Sequence, residues 1–109
     1  MPYSYLLCMA VLAESFPGGA SQGYLKKLEK DYDRRVETCV AVHDKAAERG
    51  LDPIIAVSVA YQETGHRGWL VGKANERGAM QVIPRYSSKE CKRDLKRCDW
   101  IAEGITILK

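Results

Sequence analysis

An uninterrupted apolar run, Ile54 to Tyr61, constrains the fold more than any other feature of the chain. Asp52-Pro53 supplies an N-cap acceptor followed by a proline at the first helical position, and Gly65 is suited to end a helix. These signals predict a helix from Pro53 to about Thr64. Because the run is apolar on nearly every side, we expect this helix to be buried at the centre of the domain.

A longer amphipathic helix is predicted between Tyr24 and Arg49, with Gly50 at its end. The side chains that recur every three or four residues and form its stripe are Leu25, Leu28, Tyr32, Val36, Cys39, Val40 and His43. The remaining positions are mostly Lys, Glu, Asp and Arg, so this helix should pack one stripe against the core. His43 on that stripe is interpreted as a packed residue rather than a ligand.

The C-terminal third predicts two further helices. Ser87 and Glu90 have the spacing of a capping box for a short charged helix that extends to about Arg97. Asp99 precedes a last helix, whose apolar residues are Trp100, Ile101, Gly104, Ile105 and Leu108. No segment has the alternation of a β-strand, so we expect a compact all-α domain around the helix from Pro53 to about Thr64.

Length and composition exclude several classes of protein. The 109 residues suit one domain, and 46% hydrophobic with 28% charged residues is typical of a globular chain rather than a disordered or membrane-spanning one. The net charge of +3 is small. The basic residues between Lys92 and Arg97 are interrupted by Asp94, which indicates a solvated helix face and no nucleic-acid site.

The N-terminus has the pattern of a secretory signal. Tyr5 to Ala13 is too short to span a membrane and is followed by the breakers Pro17-Gly18-Gly19-Ala20. We expect residues 1–20 to be a signal peptide, cleaved after Ala13 or Ala20, and residues 21–109 to be the domain. The alternative is an apolar N-terminal segment that folds onto the domain, because Met1 to Ser4 contains no basic residue.

The four cysteines fit an exported protein. If Cys8 leaves with the signal, Cys39 is expected to pair with Cys91 or Cys98, leaving one thiol free. One alternative is a zinc site formed by Cys39, His43, Cys91 and Cys98, and another is that all the cysteines are free.

Among the charged residues, Glu63 has the position that a purely structural role explains least. Its helical position is between Val59 and Ala60, so the carboxyl is expected to lie along apolar surface. It also lies in the last turn, at the negative end of the helix dipole. Both effects favour a protonated carboxyl, which is the state that a general acid needs. The alternative is a glutamate that simply reaches solvent.

Glu63-Thr64 together with the segment Gly78 to Pro84, sequence GAMQVIP, resembles the signature of the soluble-lytic-transglycosylase domain family. In that family a catalytic Glu, usually followed by Ser, ends a buried helix, and a Gly-Leu-Met-Gln segment follows. The Gln is eighteen residues after the Glu, as Gln81 is here. Ile101, Gly104 and Leu108 are similar to the family's next helix, and the resemblance runs from about Leu51 to the end of the chain.

The resemblance implies a lysozyme-like α fold that cleaves the bond between N-acetylmuramic acid and N-acetylglucosamine in peptidoglycan, without metal or cofactor. It implies that Glu63 protonates the glycosidic oxygen and then helps the muramoyl C6 hydroxyl to form a 1,6-anhydro product. Met80 and Gln81 would line the cleft, and Thr64 would support the carboxyl. Trp69 is a further candidate for stacking on a sugar ring. The protein would be a monomer, exported to the periplasm or beyond, or carried in a phage virion.

Two other functions stay open. A hydrolytic lysozyme would need a second carboxylate, for which Glu76 is the loop candidate. A non-catalytic domain that binds cell wall or builds a virion is the third. The chain departs from the family at His66-Arg67-Gly68-Trp69, where an aromatic residue followed by Asn-Pro is usual. It also stops at Lys109, before the family's Tyr-Asn-x-Gly helix, so we expect a fragment or a reduced domain.

Overall fold

Five α-helices form the regular structure of the described chain. The computed structural model describes residues 3–13 and 22–109, and within residues 22–29 it describes only the side chain of Lys26. The helices are α1 (Tyr3–Ala13), α2 (Gln22–Glu48), α3 (Pro53–Thr64), α4 (Lys89–Arg93) and α5 (Trp100–Leu108), with a 3-10 turn at Pro84–Tyr86. The described part has no strand, and two isolated bridges join Arg77 to Val71 and to Val82. The all-α prediction is confirmed.

Helix α2 provides the surface on which α1, α3 and α5 pack. Its buried residues Val36, Cys39, Val42 and Ala46 recur every three or four positions. Val36 and Cys39 belong to the predicted stripe, whereas the predicted Val40 and His43 are only half-buried. The core is completed by apolar side chains from the three neighbouring helices, chiefly Leu12, Ala56, Val57, Ala60 and Ile105. The side chains of Leu25 and Leu28, which were predicted to extend the stripe, lie outside the described residues.

Both ends of α3 are formed by the predicted residues. The Asp52 carboxylate accepts a hydrogen bond from the Ile54 N–H at 2.9 Å, and Pro53 begins the helix. Gly65 follows with φ of 61°, and its N–H donates to the Tyr61 carbonyl at 2.8 Å. The left-handed backbone there is accessible to glycine at little cost, which explains the stop.

The position of α3 differs from the expectation of a helix buried on every side. Ile54 and Ile55 are 48% and 50% exposed, so α3 lies between α2 and solvent. The 27-residue α2 contacts the other three long helices, so α2 rather than α3 is the helix on which the described part of the domain packs. A run that is apolar all round does not by itself show which of its sides will be covered.

The cysteines pair differently from the prediction. Cys8 is bonded to Cys39, with Cα atoms 5.8 Å apart, and Cys91 is bonded to Cys98, with Cα atoms 4.7 Å apart. The expected link from Cys39 to Cys91 or Cys98 is wrong, because α1 packs on α2 and brings Cys8 beside Cys39. The zinc alternative is also wrong for this structure, since no cysteine is free to bind as a thiolate.

Helix α1 folds onto α2, which is the arrangement expected of an apolar N-terminal segment that belongs to the domain. Its 11 residues bury Ser4, Cys8 and Leu12 against the neighbouring helix. No helix within residues 3–13 and 22–109 combines the length and hydropathy needed to cross a membrane. Signal cleavage stays a prediction, and its site at Gly18-Gly19-Ala20 lies outside the described residues.

Candidate functional site

Glu63 lies in the last turn of α3 with its side chain exposed to solvent. It shares a helix face with Val59, which is half-buried, and with Ala60, which is buried. The helix ends two residues later at Gly65, so no further turn of α3 covers the carboxyl. The expected burial of Glu63 against apolar surface is therefore not observed, and its carboxyl is open to an incoming ligand.

Two arginines donate hydrogen bonds to the carbonyl groups at the C-terminus of α3. The Arg35 Nε donates to the Gly65 carbonyl oxygen at 2.7 Å, and the Arg67 Nε donates to the Thr64 carbonyl oxygen at 2.8 Å. Positive charge at this position offsets the negative end of the helix dipole. Arg35 is only 5% exposed and was not predicted. Its position on the apolar stripe of α2, between Tyr32 and Cys39, was the available signal.

Thr64 connects the end of α3 to the segment that contains Met80 and Gln81. Its hydroxyl donates to the Ala79 carbonyl oxygen at 2.8 Å and also lies 3.2 Å from the Ala60 carbonyl oxygen. The side chain is buried, so loss of this contact would leave a buried acceptor unpaired. Thr64 therefore supports Glu63 through the backbone, by holding the last turn of α3 against residues 78–81.

Met80 and Gln81 line a small cavity beside α3, which we call the apolar pocket. It has a volume of about 220 Å³ and is lined by Val59, Met80, Gln81, Val82, Ile83, Tyr86, Gly104, Ile107 and Leu108. Glu63 is one helical turn beyond Val59 on the same face of α3, but it is not among the residues that line the pocket. Three of the predicted substrate-site residues, Thr64, Met80 and Gln81, are thus grouped around the end of α3.

Met80 and Gln81 have different surroundings within the apolar pocket. Met80 is buried against Gly104 of α5, where a Cβ atom would come within 2.7 Å of the Met80 sulfur. It therefore fills the core as well as lining the pocket. The Gln81 amide is oriented by two loop carbonyls, because its Nε2 donates to Gly78 at 2.9 Å and to Leu70 at 3.3 Å. Its backbone is left-handed, with φ of 50°, which is uncommon for this residue type.

The carboxylate of Glu76 closes its own turn. Its Oε1 accepts a hydrogen bond from the Ala74 N–H at 2.6 Å. Its other oxygen lies 2.6 Å from the position that a Cβ of Gly72 would occupy, so the carboxylate packs closely on that loop. These contacts give Glu76 a structural role, and they weaken the alternative in which it acts as a second catalytic carboxylate.

Trp69 lies in a second and larger cavity, which we call the tryptophan cleft. The cleft has a volume of about 420 Å³ and is lined by Arg34, Glu37, Thr38, Gly68, Trp69, Gly78, Ala79, Cys98, Asp99, Trp100 and Ile101. Ala79 lines this cleft and Met80 lines the apolar pocket, so the turn at residues 78–81 has one cavity on each side. The structure therefore separates Trp69 from the other predicted site residues.

His66 is a core residue. It is fully buried, and neither ring nitrogen makes a hydrogen bond of normal geometry. Burial lowers the pKa of His66 from 6.5 to about 4, the charge of Arg35 acts in the same direction, and the nearby backbone of Val57 opposes the shift. The ring is therefore neutral at neutral pH. Its backbone is left-handed, with φ of 63°, at the point where the chain leaves α3.

Comparison of the chain with models of known protein families, with curated proteins and with solved structures found no match. The resemblance to lytic transglycosylases is carried by Glu63, Thr64 and the segment Gly78 to Pro84.

Proposed function

We propose that the chain is a peptidoglycan lytic transglycosylase in which Glu63 is the catalytic acid and base. The observation that supports this most directly is the hydrogen bond from Thr64 to the Ala79 carbonyl. It joins the two parts of the motif, the Glu-Thr pair that ends α3 and the Gly-Ala-Met-Gln segment, which are distant in sequence. Glu63 is exposed, and Val59, one turn before it on the same face of α3, lines the apolar pocket.

The proposed reaction uses one carboxyl group twice. Protonated Glu63 donates its proton to the glycosidic oxygen as the bond to C1 of N-acetylmuramic acid breaks, and N-acetylglucosamine leaves with a free hydroxyl. The resulting carboxylate accepts the proton of the muramoyl C6 hydroxyl as that oxygen bonds to C1. The product is a 1,6-anhydro sugar, and the carboxyl returns to its protonated state without the addition of water.

Glycan binding would also change the surroundings of Glu63. A sugar seated over the exposed carboxyl displaces water from it, so that the carboxyl contacts the glycosidic oxygen directly. Gln81 has an amide that is already oriented by loop carbonyls, which suits a group that positions a sugar. The engagement of Glu76 within its own turn favours a one-carboxyl mechanism over hydrolysis by two carboxylates.

We propose that the enzyme acts outside the cytoplasm, on the cell wall. Both disulfides support this, because such bonds persist in oxidising compartments. The peptidoglycan strand is the proposed partner, and a virion-associated enzyme that reaches the wall from outside would meet the same chemistry.

The test is digestion of purified peptidoglycan, followed by mass spectrometry of the released muropeptides. We expect anhydro ends from the wild-type chain and a loss of rate of at least about 100-fold in Glu63→Gln, which removes the acid and keeps the shape. Glu48→Gln, at an exposed position near the end of α2, is the matched control and should be fully active. A folded Glu63→Gln variant with normal activity would refute the assignment, and reducing ends would identify a hydrolase instead.

A further inference from the structure

The tryptophan cleft is separate from the surface that carries Glu63, and nothing in the proposed reaction uses it. Its walls come from α2, from the loop that follows α3 and from the N-terminal end of α5. Its volume of about 420 Å³ is within the range of roughly 300–1,000 Å³ that is common for small-ligand sites. It is therefore large enough to hold a ligand of its own.

The walls of the cleft are held in place before any ligand binds. The Trp100 indole N–H donates to the Leu95 carbonyl oxygen at 2.9 Å. Gly78 packs so closely on Trp100 that a Cβ there would lie 2.6 Å from the Trp100 Cβ. On the opposite wall, the Arg34 guanidinium lies 4.0 Å from the centre of the Trp69 ring. Preorganised walls reduce the entropy cost of binding.

The groups that line the cleft favour a neutral ligand rich in hydroxyls. Arg34 covers one face of the Trp69 ring, and Trp69, which is 37% exposed, offers its remaining aromatic surface to the apolar face of a sugar ring. Glu37 and Asp99 can accept hydrogen bonds from hydroxyls, and Arg34 can donate them. These three charged groups sum to one negative charge, which disfavours a phosphate or a nucleic acid.

We infer that the tryptophan cleft is a saccharide-binding site, distinct from the catalytic surface, that holds a sugar unit of a glycan. The identity of that glycan as peptidoglycan rests on the proposed function, whereas the chemistry of the cleft does not. In a transglycosylase the cleft would hold a glycan strand against the enzyme while Glu63 cleaves a bond elsewhere.

Intrinsic fluorescence reports directly on this cleft, because the two tryptophans of the chain both line it. The full-length Glu63→Gln chain, which should not cleave the probe, is titrated with a β-1,4-linked tetramer of N-acetylglucosamine. We expect a saturable change in tryptophan emission. Trp69→Ala should weaken the affinity on the order of tenfold, measured by calorimetry, because it removes the aromatic surface.

Two further variants separate binding from folding. Tyr5→Ala removes an aromatic side chain of the same 37% exposure on α1, outside the cleft, and should bind as tightly as the parent. Glu37→Gln keeps the shape of an exposed side chain on α2 and should weaken binding several-fold by removing a charged acceptor. The circular dichroism of all variants should match that of the parent.

The outcomes for the cleft and for the catalytic proposal are distinguishable. No saturable emission change up to about 10 mM probe, or equal affinity of the parent and the folded Trp69→Ala variant, would overturn the inference. In that case, anhydro products from the wild type would support the catalytic proposal but not the inference about the tryptophan cleft. Conversely, binding that requires Trp69 in a chain that never cleaves peptidoglycan would support the cleft and refute the transglycosylase proposal.

Discussion

Acidification from neutral pH to pH 4 is expected to destabilise the fold through His66. In the native state the buried ring has a pKa of about 4, compared with 6.5 in the unfolded chain. Between these two values the unfolded state binds a proton that the native state does not. The stabilising contribution of neutral His66 is therefore complete above pH 6.5 and is lost as the pH falls towards 4.

The size of the effect follows from the two pKa values. One pKa unit corresponds to about 1.4 kcal/mol, so the shift from 6.5 to about 4 removes roughly 3 kcal/mol from the free energy of unfolding by pH 4. A domain of this size is typically stable by about 5–15 kcal/mol, so this single ring is expected to account for a measurable share of the acid sensitivity.

Urea unfolding followed by circular dichroism, at about pH 7, 5.5 and 4, measures the predicted loss. His66→Phe removes the titrating group and keeps an aromatic ring in the core. Its absolute stability is expected to be lower, because Phe is strained in a left-handed backbone, so only the pH dependence is compared. His43→Gln, at the other histidine of the chain, should retain the pH dependence of the wild type.

Carboxylates that titrate in the same pH range change the free energy of unfolding of all three proteins equally. The conclusion therefore rests on the difference in pH dependence between the variants. If the wild type and His66→Phe lose stability in parallel as the pH falls, His66 is not the source of the acid sensitivity. The same conclusion follows if His43→Gln abolishes the pH dependence of the free energy of unfolding.

Two further predictions concern stability. Thr64→Val should lower the free energy of unfolding by about 1–3 kcal/mol, because the Ala79 carbonyl loses its buried donor. It should also slow peptidoglycan cleavage. An unchanged urea midpoint and an unchanged rate would show that the hydrogen bond does not hold the motif together. Replacing Cys8 and Cys39 with serine should cost about 3.5 kcal/mol, and replacing Cys91 and Cys98 should cost about 2.5 kcal/mol, since the closed loops span 31 and 7 residues. A larger loss in melting temperature for the shorter loop would contradict this ranking.

Local signals in the sequence predicted the helix boundaries well. The cap at Asp52, the proline after it and the stop at Gly65 act on neighbouring backbone groups, so their effect does not depend on the rest of the fold. Asp99 is another example, because its carboxylate accepts from the Ala102 N–H at 3.0 Å at the start of α5. By contrast, Ser88 rather than the predicted Ser87 caps α4, and α4 ends at Arg93 rather than at the predicted Arg97.

Features that depend on packing between helices were predicted poorly. The exposure of Glu63 depends on which side of α3 meets α2, and the apolar run from Ile54 to Tyr61 offers no distinction between its sides. The pairing of Cys8 with Cys39 depends on α1 packing along α2, which no spacing reveals.

The candidate site was predicted in part. Thr64 lies beside the segment of Met80 and Gln81 because its hydroxyl donates to the Ala79 carbonyl, and the role of these residues in a site stays a prediction. Trp69 was assigned to the same site from its residue type alone, and the turn at residues 78–81 places it in a different cavity. Arg35 was missed because a charged residue on an apolar stripe is ordinarily assumed to reach solvent.

If the N-terminal segment is removed, the bond between Cys8 and Cys39 makes the product depend on whether cleavage or oxidation occurs first. A protease that cuts between Ala13 and Gln22 after the bond has formed would leave α1 covalently attached as a separate peptide. A cut before oxidation would release α1 and leave Cys39 as an unpaired thiol in the core. Cleavage after oxidation therefore yields a two-chain protein, and cleavage before oxidation yields a single chain with one free thiol.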